Sequence, residues 1–248
     1  MRAAFSALCL CLSLTAPAGA EGLTDMTVAE KAAFGEAVRA YLLENPEVIA
    51  EAITVLQDRQ AEAEAQTDDQ MVEDNAGAIF EDGYSWVGGN PDGDITVVEF
   101  MDYRCGYCKK AHAEVEELVK ADGNIRLIFK EFPILGEESI ITSRFAIAVQ
   151  LLHGPEAYKS VHDALMTLRG APDDASLSRL AADLGLEPTA IVARMASDEV
   201  TQIIAANHAL GQALSISGTP TFVMGGQMLR GYVELEGMMQ IIADERSG

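Results

Sequence analysis

The spacing of apolar residues divides this chain into three stretches: helical stripes up to about residue 66, strand-like runs near residues 95 and 125, and helical stripes again through most of the remainder. In the first stretch Thr27 and Glu30 have capping-box spacing ahead of an apolar stripe of Phe34, Val38, Tyr41 and Leu42. Asn45-Pro46 restarts the pattern, with Asn45 expected as N-cap and Pro46 at the first helical position, before a second stripe of Val48, Ile49, Ala52, Ile53 and Leu56. From Gln60 to Gly77 large apolar residues are sparse among Ala, Glu, Gln and Asp, which predicts a helical or flexible linker, with its core at residues 67–79. A domain covering residues 80–248 follows. The turn Gly89-Asn90-Pro91-Asp92-Gly93 leads into a strand at Ile95–Phe100. The helix after it carries Cys108, Ala111, Val115, Leu118 and Val119 on one face, and a second strand is expected at Ile125–Lys130. Residues 135–215 then read as a helical insert, with one face of Ile141, Phe145, Ala148, Val149 and Leu152 closed by Gly154-Pro155. Tyr158, Val161, Leu165 and Leu168 form the next face, and Val200, Ile203, Ile204 and Leu210 a later one. Strand character returns at Thr221–Met224, turns at Gly225-Gly226 and resumes at Gln227–Arg230, before a last helix marked by Leu235, Met238, Met239 and Ile242. The order predicts an α/β fold, in which a parallel pair is joined through a helix and completed by an antiparallel hairpin.

The amino terminus adds a compartment. Met1-Arg2, an apolar run from Ala3 to about Ala16, and Ala18-Gly19-Ala20 have the layout of a cleaved secretory signal over residues 1–20. Cys9 and Cys11 fall inside that run and leave with it, so Cys105 and Cys108 are the cysteines of the exported form, expected to be periplasmic. The 248 residues carry 17 basic and 39 acidic side chains, a formal charge of -22, and losing Arg2 makes the exported form one unit more negative. That surface argues against nucleic acid or an anionic membrane as partner. A chain this long with 49% apolar residues can build its core without disulfides, which leaves the two cysteines free to cycle.

Those cysteines stand in Cys105-Gly106-Tyr107-Cys108, where the first strand gives way to a helix. A sulfur in the first turn of a helix faces unsatisfied N–H groups and the positive end of the dipole, so Cys105 is expected to ionise below the free-thiol value and attack as thiolate. Gly106 and Tyr107 bring no positive charge, which leaves the helix terminus as the main stabiliser. Cys108, one turn on and facing inward, is expected to resolve the mixed disulfide. Glu99 sits in the middle of the preceding strand, where burial would raise its pKa, and Lys130 on the neighbouring strand is expected to pair with it. His112 gives a C-x-x-C-x-x-x-H spacing, but a structural zinc site needs about four ligands and no fourth is evident. His153, His162 and His208 show no ligand pattern, and no nucleotide, flavin or haem motif is present, so neither a metal nor a cofactor is expected.

Taken with Gly218-Thr219-Pro220-Thr221-Phe222 and the helical insert between, the motif resembles the thioredoxin-fold disulfide oxidoreductases of the DsbA superfamily. The resemblance covers about residues 80–246 and implies a thioredoxin fold with a helical insertion, preceded here by an α-helical segment. It further implies a cis peptide at Thr219-Pro220, with Thr219 and Pro220 beside the dithiol, and Tyr107, contacting the client. It also implies that Glu99, six residues before Cys105, moves the proton of the resolving cysteine. Residues 21–66, through Tyr41-Leu42-Leu43-Glu44-Asn45-Pro46-Glu47-Val48, are similar to the oligomerisation segment of the suppressor-of-copper-sensitivity protein C group. That resemblance implies self-association through the helical segment and disulfide isomerase activity on cysteine-containing secreted proteins, with a DsbD-like membrane thiol reductase as partner. A DsbA-type dithiol oxidase is the alternative. A copper-binding module built on Cys105 and Cys108 is a reading from another class.

Overall fold

The computed structural model describes residues 26–247, so the expected signal at residues 1–20 lies outside the described residues. Residues up to Arg59 belong to one compact unit and those from Gln60 to a second.

In the first unit, α1 spans Val28–Glu44 and opens with a complete capping box. Glu30 N–H donates to Thr27 Oγ1 over 3.3 Å, and Thr27 N–H donates to Glu30 Oε2 over 2.8 Å. Asn45 does not N-cap the next helix as expected. Its side-chain amide donates to the Tyr41 carbonyl over 2.9 Å, alongside its own backbone N–H, which donates to the same carbonyl over 2.8 Å, and the two together close α1. Helix α2 runs from Glu47 to Asp74. No residue of α1 is buried, and Phe34, Tyr41, Ile49, Ile53 and Leu56 are all exposed.

Of the helical and flexible forms expected for the linker, the structure shows the helical one, and docks its end. Helix α2 continues through these residues, and Val72 together with Ile79 of α3 (Ala76–Phe80) enters a core of the second unit. Sparse large residues concealed this, since two well-placed apolar side chains suffice to dock a helix end.

The second unit is built on five strands, β1 (Trp86–Gly89), β2 (Ile95–Met101), β3 (Ile125–Glu131), β4 (Thr221–Met224) and β5 (Gln227–Arg230), in the order β1-β3-β2-β4-β5. Only β2 and β3 run parallel, joined by α4 (Gly106–Asp122), whose C-terminus is turned by Gly123 in the left-handed region at φ 74°. Strand β1 extends the expected four-stranded sheet by antiparallel pairing with β3. Its sequence, Trp-Val-Gly-Gly, shows no alternation. Tertiary packing places it, with Trp86 stacked on Phe129 at 4.9 Å between ring centroids.

One sheet face carries Val97, Met101, Leu127 and Phe129 and packs with the buried stripe Cys108, Ala111, Val115 and Leu118 of α4. The helices α5 (Glu137–His153), α6 (Pro155–Thr167), α7 (Asp174–Asp183) and α8 (Pro188–Met195) contribute to the same core, as do α9 (Asp198–Ala213) and α10 (Leu235–Ser247). The other face carries Val98, Phe100, Ile128 and Val223 against Val72, Ile79, Leu210 and Leu214. Most of the stripes expected as core are buried. Leu152 and Met239, at the margins of theirs, are exposed.

Alternation across the sheet corrects one expectation. In the parallel register Glu99 lies opposite Phe129 and Phe100 opposite Lys130, so Glu99 and Lys130 point to opposite faces. Lys130 pairs with Asp82 at 2.5 Å and donates to the Ala78 carbonyl at 2.7 Å. Its ammonium is fully buried, and burial lowers its pKa against the pull of Asp82. At Asp82 burial acts to raise the pKa, but hydrogen bonds from Lys130 and Ser85 outweigh it and hold the carboxyl below its ordinary value.

Candidate active site

Strand β2 delivers the chain to Asp102, which is buried and shapes the turn into α4. Its Oδ1 accepts the Arg104 N–H at 2.7 Å, and its Oδ2 accepts the Ile134 and Leu135 N–H groups at 2.9 and 3.1 Å. The carboxylate thus ties the exit of β2 to the segment after β3, and the Cys105 N–H closes a turn onto the Asp102 carbonyl at 3.1 Å. Cys105 emerges from this turn as the N-cap of α4, one position earlier than the first turn in which it was expected.

Both cysteines are free thiols in this structure. The Cys105 pKa falls to about 5, chiefly through the hydrogen bond from the Cys108 thiol, against the opposing effect of burial. Thr219 and the N–H groups of Cys108 and Tyr107 add to the shift, so the helix terminus contributes but does not lead, contrary to expectation. Cys108 moves the opposite way, raised by its bond to Cys105, by burial and by the charge of Glu99. The pair has separated into a ready nucleophile and a reluctant one.

Beside it the Thr219-Pro220 peptide is cis, and the Thr219 carbonyl lies 3.1 Å from Cys105 Sγ. Pro220 is buried, and its carbonyl accepts the Gly231 N–H at 2.9 Å, which fixes the segment to the end of β5. Gly106 and Gly218 sit in open space where a Cβ would meet nothing within 4 Å, so packing does not demand glycine at either position. Tyr107 is 64% exposed and stacks on Tyr232 at 6.1 Å, while Lys110 Nζ lies 4.1 Å above the Tyr232 ring.

Glu99 is 1% exposed, and its Oε1 has no hydrogen-bond partner. Burial raises its pKa to about 8, helped by the negative charges of Cys105 and Glu116. A carboxyl that titrates there can take a proton from Cys108 when ionised and cannot when protonated. Glu99→Gln should therefore slow resolution of a mixed disulfide by about tenfold or more at pH 8, and abolish the rise in that rate as pH passes about 8, as stopped-flow measurement would show. Stability should move the other way. An acid with a raised folded pKa holds a proton that the unfolded chain has released, so stability falls as pH climbs from about 4.5 to about 8. The Gln chain should melt higher than its parent at pH 7, and the gap should close near pH 4.5. Equal resolution rates from pH 6 to 9 would remove Glu99 from the mechanism.

His112 does not turn toward the cysteines. Its Nε2 lies 3.2 Å from Asp163 Oδ1 on α6, and its ring packs against His162 at 5.2 Å. Asp102 and Tyr232 are the site residues that the sequence did not announce. A short acid at a strand end just before a turn is a local cue for Asp102. Tyr232 has no local signal, since it meets Tyr107 only through the fold.

Residues 96–243 match the family of DSBA-like thioredoxin domains, and residues 30–63 match the copper resistance protein ScsC N-terminal domain. A thioredoxin-like oxidoreductase from Silicibacter pomeroyi DSS-3 is 40% identical, with a TM-score of 0.65 over 70% of this chain and 99% of that one. BcfH from Salmonella enterica Typhimurium is 30% identical, with a TM-score of 0.72 over 89% and 97% of the two chains. Among curated relatives, the Na(+)/H(+) antiporter NhaA 1 of Salinispora arenicola is 28% identical over 162 residues, 65% of this chain. The chain spans 25% of the length of that protein.

Proposed function

The chain belongs to the family of DSBA-like thioredoxin domains, a thiol-disulfide oxidoreductase fold, and from that premise we propose that it is an exported, periplasmic disulfide isomerase or reductase of secreted proteins. The observation that carries the reading is the split dithiol, Cys105 ionised near pH 5 at the N-cap of α4 and Cys108 held protonated behind it. The Cys105 thiolate attacks a client disulfide, one client sulfur leaves as thiolate, and the other stays bonded to Cys105. The leaving sulfur can then attack elsewhere in the client and rearrange it. Alternatively Cys108 gives its proton to Glu99, attacks the Cys105 sulfur and releases a reduced client. The Thr219 backbone, held beside the sulfur, is suited to pair with an extended client segment, and the exposed Tyr107 ring to pack on it.

Isomerisation needs Cys105 to rest reduced, which implies electrons from a membrane thiol reductase of the DsbD type. Self-association through residues 21–66 supports that use, because Phe34, Tyr41, Ile49, Ile53 and Leu56 lack cover within their own unit and a second copy could supply it. Several sites would then face one misfolded client.

A second reading, a dithiol oxidase, is favoured by the low pKa of Cys105, since a stabilised thiolate makes the reduced form the better product and the disulfide the better oxidant. Incubation with scrambled, fully oxidised ribonuclease under catalytic thiol separates the two. The reduced chain should restore ribonuclease activity well above the thiol background. No recovery, alongside fast oxidation of reduced ribonuclease, would establish the oxidase and overturn the isomerase.

A further inference from the structure

One turn along α4 from Cys108, at His112, three potential ligands from α4 and α6 meet: His112, His162 and Asp163, whose ligand atoms all lie within 4.8 Å of one another. His162 is fully buried, and the polar atoms around it fix its tautomer. Tyr158 O–H donates to Glu131 Oε1 at 2.6 Å and Tyr103 O–H donates to the same oxygen at 2.7 Å. With the Tyr103 proton committed to Glu131, His162 Nδ1 at 3.1 Å must be the donor to the Tyr103 oxygen. The lone pair then stands on His162 Nε2, which is buried and without a hydrogen-bond partner. A buried nitrogen acceptor with nothing to accept costs stability, and an imidazole held through its other nitrogen by a hydroxyl and a carboxylate is how proteins present a ligand to a metal. His112 and Asp163, part-exposed, stand on the solvent side.

We propose that His112, His162 and Asp163 form a binding site for a borderline divalent transition metal, of the zinc class, that clamps the helix bearing the dithiol to the first long hairpin of the insert. Two imidazoles and one carboxylate suit zinc, with a fourth position left to water. Ligand atoms around tetrahedral zinc stand roughly 3.3 Å apart, so closure asks for shifts of about 1 Å at two part-exposed side chains. Lys159 is the competing cation, bonded to Asp163 Oδ1 and Oδ2 at 2.6 and 2.8 Å. Glu116 Oε1 lies 3.0 Å from Lys159 and can retain it when Asp163 turns one oxygen to the metal.

The site uses neither Cys105 nor Cys108, so the test is made on the exported form, without residues 1–20 and their Cys9 and Cys11, with Cys105 and Cys108 oxidised to a disulfide and unable to bind metal. Zn²⁺ titrated calorimetrically should bind one ion per chain at micromolar or tighter affinity, and raise the melting temperature by about 5 °C at saturating metal. Co²⁺ as a spectroscopic probe should give visible ligand-field bands without the near-ultraviolet thiolate charge-transfer band. His112→Gln and Asp163→Asn, at part-exposed positions that should leave circular dichroism unchanged, should each weaken Zn²⁺ binding at least tenfold. Tyr103→Phe, which frees the His162 tautomer, should weaken it about tenfold to a hundredfold. Failure of the oxidised chain to bind Zn²⁺, or binding indifferent to both surface-side variants, overturns the proposal, and neither outcome bears on disulfide exchange.

Discussion

Cys105→Ser should abolish disulfide exchange, lowering turnover by about three orders of magnitude or more, because no other described group offers a thiolate at neutral pH. Cys108→Ser should fail differently. Its Cys105 still attacks, but nothing in the chain resolves the product, so a mixed disulfide with the client should accumulate and be visible by intact-mass measurement. Cys108→Ala instead removes outright the hydrogen bond that does most to lower the Cys105 pKa, whereas the serine hydroxyl can still donate one. Thiolate is the alkylated form, so the rate of iodoacetamide reaction should rise with pH to a plateau, with its midpoint near pH 5 in the parent and higher in Cys108→Ala. If Cys108 proved the residue alkylated first, the assignment of attacking and resolving roles would be reversed.

Lys130→Met should cost about 3 kcal/mol or more of stability, a fall in melting temperature of about 10 °C, although Lys130 touches no part of the site. The loss comes from the partner left behind. Asp82 has its carboxylate held below its ordinary pKa largely by Lys130, and without that ammonium a buried negative charge keeps only Ser85 and the backbone around it. Two outcomes would set this apart from a plain packing defect. Adding Asp82→Asn to Lys130→Met should recover much of the loss, as the two changes are coupled. The single variant should also lose less stability in acid, where Asp82 can protonate. A double variant as unstable as the sum of its parts would show that the pair is not the source.

Much of this architecture was legible because helical and strand periodicity ran uninterrupted through the elements that build the core. Strand β2, helix α4, strand β3 and the hairpin of β4 and β5 all lie within a residue or two of where alternation and the turn at Gly225-Gly226 put them. Cys105, Cys108, Thr219 and Pro220 were legible because the chemistry sits at punctuation points, a strand end and a proline. Pairing across the sheet and between helices escaped. Lys130 was matched to Glu99 by proximity in the strands, and only the register reveals that they face apart. Strand β1 carries two glycines and becomes a strand only because β3 offers it an open edge. His112 and His162 are 50 positions apart on different helices, and neither helix alone gives a reason to consider the other.

The two outer strands of the sheet bear on how this protein meets unfolded polypeptides. An unfolded secretory protein displays unpaired strands, and a long flat sheet border would recruit them into shared aggregates. Here β1 and β5 are each four residues long. Strand β1 ends in two glycines, and β5 ends at Arg230, which is pinned to Asp68 and to the Leu214 carbonyl. Short borders of this kind give an incoming strand few partners to zip along. A protein with the proposed function, working on sticky polypeptides through its sulfur, gains from borders that keep it out of the deposits they form.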